Sequence, residues 1–221
     1  MSRTVDPADR VHLLVIAKEP LPGRVKTRLC PPCTPVQAAE LAEAALRDTL
    51  AAVAATPAGA RTVALDGEPG PWLPAAFGVV PQRGDGLDER LAAGFDDAWA
   101  LWEGPLLLVG MDTPQVTPTL LSAAAAQLLS EGTDAVLGRA PDGGWWALGL
   151  RRPDPSLLLG VPMSTPETGA AQVRRLEQAG LRVAALPELV DVDTIEDARA
   201  VATGCPASRF AAALDRMGMA S

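Results

Sequence analysis

The chain has 221 residues, of which 27 are acidic and 19 basic, for a formal net charge of -8. That balance argues against a nucleic-acid or anionic-membrane surface, since both need a basic face. The hydrophobic share of 48% is enough for a packed core, and three cysteines, an odd count, disfavour a disulfide framework.

The amino end, MSRTVDPADR, is polar; it is expected to be a short extension (1–10) without a signal peptide, ahead of one domain over 11–221. VHLLVIA (11–17) predicts a buried strand. Directly after it, AKEPLPGRVKTRL gathers Lys18, Arg24, Lys26 and Arg28 into eleven residues of an acidic chain. Residues 34–56 predict a helix capped by Thr34, with Pro35 at its first position. Strands are expected at 61–66 and 78–83, an amphipathic helix at 87–104, and the clearest buried strand, PLLLVGMD, at 105–112. A helix over 118–132 is too short to span a bilayer. Strands at 134–140 and 145–151 flank PDGG with hairpin spacing. A helix at about 166–179, a strand at LRVAALPE, and helices near 194–203 and 206–217 close the chain. This alternation predicts an α/β three-layer sandwich with a mainly parallel sheet and at least one antiparallel strand. No repeat or linker interrupts it, and the expected location is cytoplasmic.

In open α/β sheets, ligands gather beyond the carboxyl ends of the strands. The basic loop sits at such an end. It is no Walker A loop, because Val25 stands where a glycine is required. Gly23 would permit close backbone approach, Lys18, Lys26 and Arg28 are placed to converge on phosphate oxygens, and Pro20 and Pro22 stiffen the loop. A merely solvated basic turn is the alternative. Asp112, immediately after a buried strand, is a candidate magnesium ligand or else a helix cap. Asp191 and Asp193, two apart on an extended segment, point to one side and either complete a metal site or cap the next helix. Asp142, Gly143 and Gly144 form a turn before Trp145 and Trp146, which either wall an acceptor pocket or pack in the core. Cys30 and Cys33 have CxxC spacing, but zinc wants four ligands and the chain adds only Cys205 and His12, so they read as two loop thiols. His12, the one histidine, lies within an apolar strand and is expected in the core, which leaves Ser-His-Asp chemistry without a base.

In order, AKEPLPGRVKTRL, VGMDTP, DAVLGRAPDGGWWALGLR, MSTPET and DVDTIEDA resemble a family of bacterial GT-A-fold transferases labelled radical-SAM-associated (arsenosugar-type) glycosyltransferases. That family is similar to the phospholactate/phosphoenolpyruvate guanylyltransferases and, more distantly, to the molybdenum-cofactor nucleotidyltransferases. The resemblance covers roughly residues 11–200. It implies a GT-A-like, nucleotide-diphospho-sugar-transferase fold and Mg2+ or Mn2+ held by Asp112 and Asp193. It also implies donor phosphates on Lys18, Gly23, Lys26 and Arg28, with Lys26 and Asp112 as the catalytic pair. QRGDGLDERL (82–91) is similar to a Gln-x-Gly-x-Asp-Leu-Gly-x-Arg segment, which places Gln82 and Arg90 near the nucleotide, with Leu87-Asp88 where Leu-Gly is expected. Asp142, Gly143, Gly144, Trp145, Ser164 and Thr165 would surround a small-molecule acceptor; Trp145, Trp146 and Met163 stand where Tyr and Trp are expected. The four loop cations favour nucleotidyl transfer from an NTP to a phosphorylated acceptor, releasing pyrophosphate. Glycosyl transfer from a nucleotide sugar is the alternative, and a nucleotide-binding regulatory domain without turnover is a third.

Overall fold

The structure, a computed structural model, describes residues 10–220, so the expected extension lies almost entirely outside them. The apolar run after Arg10 becomes β1 (His12–Lys18), and the long alanine-rich period becomes α1 (Pro35–Ala55). Its start is a capping box: Thr34 Oγ1 accepts the Gln37 N–H, and Gln37 Oε1 accepts the Thr34 N–H. Then follow β2 (Ala60–Asp66), β3 (Gly78–Pro81), α2 (Leu87–Leu101), β4 (Leu106–Gly110) and α3 (Pro118–Leu129). The chain continues through β5 (Ala135–Arg139), β6 (Trp145–Leu150), α4 (Thr168–Gln178), β7 (Val183–Leu186), α5 (Ile195–Gly204) and α6 (Arg209–Arg216). Every expected helix and strand is present. Single 3-10 turns at Thr27–Leu29 and Pro155–Leu157 add detail that periodicity does not register.

The strands form one seven-stranded sheet in the order β3-β2-β1-β4-β6-β5-β7. Within it β6 alone is antiparallel to its neighbours, pairing β4 on one side and β5 on the other. The start of β6 therefore lies on the same sheet edge as the ends of the other six strands. Side chains alternate across the sheet. Val11, Leu13, Val15, Val63, Leu107 and Val109 pack under α1 and α3, whereas Leu14, Ala64, Leu106 and Leu108 pack under α2 and α4. A third cluster joins the outer face of α1 to α5 and α6 through Leu41, Val201, Phe210 and Leu214.

The two thiols lie in the loop before α1, as expected, and are free, but they are packed rather than solvated. Cys33 is buried in that third cluster, with its Sγ 3.4 Å from Met219 Sδ, and Cys30 packs beside it. The loop folds under the amino end of α1, and a thiol there behaves as a small apolar group. Of the tryptophans, Trp146 is a core residue, 1% exposed, with its indole N–H donated to Pro187 O at 2.9 Å. A β-bulge at Gly138/Arg139 lets Trp146 and Ala147 face the same core side, leaving Trp145 toward the opposite face.

His12 is fully buried as expected: its Nε2 and Thr62 Oγ1 are 2.8 Å apart, and its ring meets Trp102 edge-on. Burial pushes its pKa down from 6.5 to about 4. Between those values the unfolded chain takes up a proton that the native protein refuses, so stability falls as pH drops through this window. The slope contributed is about 1.4 kcal/mol per pH unit, approaching roughly 3 kcal/mol at the lower end. Urea unfolding of His12→Gln should lack that component between pH 6.5 and 4, while unfolding of the native sequence shows it; equal slopes would refute the assignment.

Candidate functional site

A cleft of about 880 Å3 opens along the shared sheet edge, over the face covered by α2 and α4. Its β3–β2–β1 half carries Lys18, Arg28, Gln82 and Arg90, and its β4–β6–β7 half carries Asp112, Asp142, Asp191 and Asp193. Ile16, Leu108, Trp145 and Met163 form an apolar wall between them. A smaller hollow of about 260 Å3 adjoins it, lined by Lys18, Arg24, Lys26 and Arg28 with Asp112 and Asp193.

The basic loop is more than a solvated turn, because three of its four cations are held by carboxylates. Lys26 Nζ lies 2.9 Å from Asp112 Oδ2 and 3.6 Å from Asp193 Oδ1, and it also donates to Val192 O. Its side chain is only 7% exposed. Arg28 donates to Asp193 Oδ2 at 2.8 Å from a side chain 72% exposed. Arg24 and Arg90 share Asp66, at 3.6 and 3.1 Å. Lys18 makes no ion pair among the described residues, so it is the loop cation whose charge no carboxylate already answers.

Local structure explains why the aspartates are available. The cap of α3 is Thr117, whose hydroxyl accepts the Leu120 N–H, so Asp112 does not cap a helix. The cap of α5 is the reciprocal pair Thr194 and Asp197, which leaves the Asp193 carboxylate to Lys26 and Arg28. The segment carrying Asp191 and Asp193 is tied to the end of β4 by Val192 N–H to Asp112 O and by Gln115 Nε2 to Val190 O. Burial, with Asp112, Asp142 and Asp193 adding negative charge against the opposing pull of Lys26, pushes the Asp191 carboxyl up to about 7. Asp112 Oδ1 is buried without a partner.

Two of the residues placed at the site by sequence are not part of its lining. Gly23 lines neither cleft; its φ of 77° serves the turn, and the space where a Cβ would stand is open. Gly143 also lines neither. It packs against Pro166, where a Cβ would come within 1.9 Å of the carbonyl oxygen, at a φ of 93°, and its own carbonyl accepts the Gly169 N–H at 2.7 Å. Gly143→Ala should therefore destabilise the protein by about 2–3 kcal/mol, combining positive-φ strain with a backbone clash. Chemical denaturation checks this; a loss under 0.5 kcal/mol, about the ordinary surface value, would contradict it. Gln82 lines the cleft, but its amide is used structurally, donating to Ala17 O and Ala64 O across β1 and β2.

Gly144, Trp145, Ser164 and Thr165 line the cleft as expected, and Asp142 Oδ1 accepts the Gly144 N–H at 2.8 Å. Met163, singled out in the sequence as a departure from the expected aromatic, also lines it, and so do Asp85 and Thr168, to which the sequence gave no weight. Lys26 and Ser164 are the two non-glycine residues with positive φ among the described residues, at 49° and 57°. Both lie at the paired hollows, where such strain concentrates when a side chain must be aimed.

The metal expectation can be weighed on the same atoms. Among the described residues no three His, Cys, Asp or Glu side chains are gathered into a ready cage. Magnesium, however, usually takes one or two carboxylates and completes its shell with substrate phosphates and water. Asp112 and Asp193, with an unpartnered buried oxygen on Asp112, fit that hard-oxygen role.

A parallel-dominated sheet with one reversed strand and a ligand cleft at its edge defines the class: the fold is that of the nucleotide-diphospho-sugar transferases. Residues 39–165 match the model of the family described as "Uncharacterized protein conserved in bacteria (DUF2064)", and the chain belongs to that family. A crystal structure of a provisionally named nucleotide-diphospho-sugar transferase from Desulfovibrio desulfuricans G20 matches with a TM-score of 0.84 at 26% identity, over 94% of each chain. A nucleotidyl transferase from Methanothermobacter thermautotroptrophicus matches at 0.57 and 14% identity, over 90% of this chain and 99% of its own. Rv0371c from Mycobacterium tuberculosis H37Rv, a manganese complex, matches at 0.53 and 18% identity, over 87% of this chain and 97% of its own. No curated protein matches the sequence. Among the described residues no helix is long and apolar enough to cross a membrane.

Proposed function

We propose that the protein is a divalent-metal-dependent transferase with a nucleotide donor, and that it transfers a sugar from a nucleotide diphosphate to an uncharged acceptor. The observation that carries this reading is the polarity of the cleft: every Lys and Arg of its lining belongs to the β3–β2–β1 half, and its carboxylates other than Asp85 belong to the opposite half. The donor's diphosphate would meet Lys18, Lys26 and Arg28, and its nucleoside would extend toward Arg90. A magnesium or manganese ion held by Asp112 and Asp193 would neutralise the leaving diphosphate. Asp142 and Asp191 face the far side, where each can accept a hydrogen bond from a hydroxyl and so orient it. Trp145 and Met163 offer the apolar face on which a sugar ring rests.

The preference for an NTP and a phosphorylated acceptor rested on four unanswered cations in the first loop. Three of them, Arg24, Lys26 and Arg28, are paired with carboxylates. The acceptor half contributes no Lys or Arg to the lining, so a phosphorylated acceptor would sit against Asp142 and Asp191 uncompensated. Nucleotidyl transfer remains the second reading because the smaller hollow of about 260 Å3, lined by cations, has room for additional phosphates beside Asp112.

Thermal shift and product analysis with each common nucleotide sugar and each NTP, in excess magnesium, separate the two. A bound donor at a hundredfold excess over its Kd stabilises by about 2.7 kcal/mol. Stabilisation by one nucleotide sugar with release of its nucleoside diphosphate supports glycosyl transfer. Stabilisation by an NTP with release of pyrophosphate supports the second reading, and no shift with any nucleotide defeats both.

A further inference from the structure

Between the two carboxylates assigned to a divalent cation there is already a cation. Lys26 Nζ reaches Asp112 Oδ2 at 2.9 Å, Asp193 Oδ1 at 3.6 Å and the Val192 carbonyl. The backbone supports the aim: Lys26 holds left-handed φ and ψ of 49° and 37°, which a residue with a Cβ adopts only when its surroundings demand it. Arg28 takes the other Asp193 oxygen, so two positive charges answer the pair before any ligand arrives. We infer that Lys26 is the resident counter-ion of the metal site, and that it releases Asp112 and Asp193 only when donor phosphates accept its ammonium, so that metal and nucleotide bind together.

This inference rests on the proposed reading of the site and adds an order to it. A divalent ion on Asp112 would lie within a few ångströms of the Lys26 ammonium, and that like-charge contact opposes metal binding to the nucleotide-free protein. Lys26 has somewhere to go. Its side chain lines the smaller hollow together with Lys18, Arg24 and Arg28, which is where an incoming polyphosphate would be gripped. Lysine suits such an exchange because it is a point charge on a flexible stem with no fixed fork geometry. Coupling of this kind is reciprocal: the factor by which nucleotide tightens the metal is the factor by which the metal tightens nucleotide.

The test is Mn2+ binding followed by the electron paramagnetic resonance signal of the free ion, first without nucleotide. The native protein should bind Mn2+ weakly, and Lys26→Met should bind it at least about tenfold more tightly, since a competing charge is gone. Lys26→Gln serves if the methionine variant does not fold, and Lys26→Arg, which keeps the charge, should remain as weak as the native protein. Adding Asp112→Asn to Lys26→Met should abolish the gain. Equal affinities of the native protein and Lys26→Met overturn the inference. Repeating the titration with each candidate nucleoside diphosphate separates the two levels. If nucleotide brings Mn2+ onto the native protein while Lys26→Met shows no gain alone, the exchange is wrong and the metal site stands. If Mn2+ binds neither protein with or without nucleotide, the metal reading falls and the exchange with it.

Discussion

Lys26→Ala should lower the stability of the metal-free protein by about 2–3 kcal/mol, measured by urea unfolding in the presence of a chelator. The variant leaves Asp112 and Asp193 facing Asp191 with Arg28 as the one remaining cation in contact. Removing one member of a fully buried pair costs about 3–5 kcal/mol. The two aspartates are 38% exposed, so water screens part of that loss and the lower figure is appropriate. The sequence alone leads to the opposite expectation, that deleting one of several crowded cations is neutral or helpful. The difference is that the crowding is relieved by carboxylates from the ends of β2 and β4 and from the segment before α5. Arg28→Ala provides the contrast. Its side chain is 72% exposed, so its stability loss should stay below about 1 kcal/mol. Its nucleotide affinity should still fall about tenfold, the value of one charge-assisted phosphate contact. A Lys26→Ala protein as stable as the native one would show that its ion pairs are weak and would remove the basis for calling it a counter-ion.

Most of this architecture can be read from period and punctuation. Thr34 and Pro35 announce α1, the unbroken run LLLVG announces a central strand, and the spacing around PDGG announces the reversal at β6. The parallel order then follows from alternation, and with it the expectation that loops after β1 and β4 share an edge. Three things were not legible. The pairing of Lys26 with Asp112 and Asp193 joins residues 86 and 167 positions apart, and nothing in local pattern encodes a contact at that range. The share of Ile16 and Leu108 in the apolar wall was missed because both look like any strand interior; only their place beneath the cleft, at the carboxyl ends of β1 and β4, sets them apart. The burial of Cys33 depends on α5 and α6 folding back over α1, which brings Met219 to its sulfur. Gly143 shows the converse case, a position with a structural role of its own. A glycine in a motif was assigned to the ligand, whereas its φ and the Pro166 carbonyl account for it without one.

Asp112→Asn should keep the fold and lose the dependence of nucleotide binding on magnesium. The side chain lies beyond the end of β4 and is 38% exposed, and the backbone bond from Val192 N–H to its carbonyl does not involve the carboxylate. Lys26 would retain Asp193 and the Val192 carbonyl, so the stability change should stay near 1 kcal/mol, about the median for a point substitution. The metal is another matter. An amide oxygen carries no charge, and losing even an outer partner of a metal ligand costs roughly 10–100-fold in affinity. Losing a ligating carboxylate should cost at least about a hundredfold in magnesium-dependent nucleotide affinity. Calorimetry of the native protein should show tight binding in magnesium and weak binding in a chelator, and the Asp112→Asn curves should coincide near the weak limit. Asp193→Asn should shift affinity in the same direction by less, because it also frees Arg28 to contact phosphate directly. If Asp112→Asn retains the full magnesium dependence and Asp191→Asn loses it, the metal belongs on Asp191, one step deeper in the same edge. Lys26 would then be a permanent partner of Asp112, and its ion pair a fixed part of the loop.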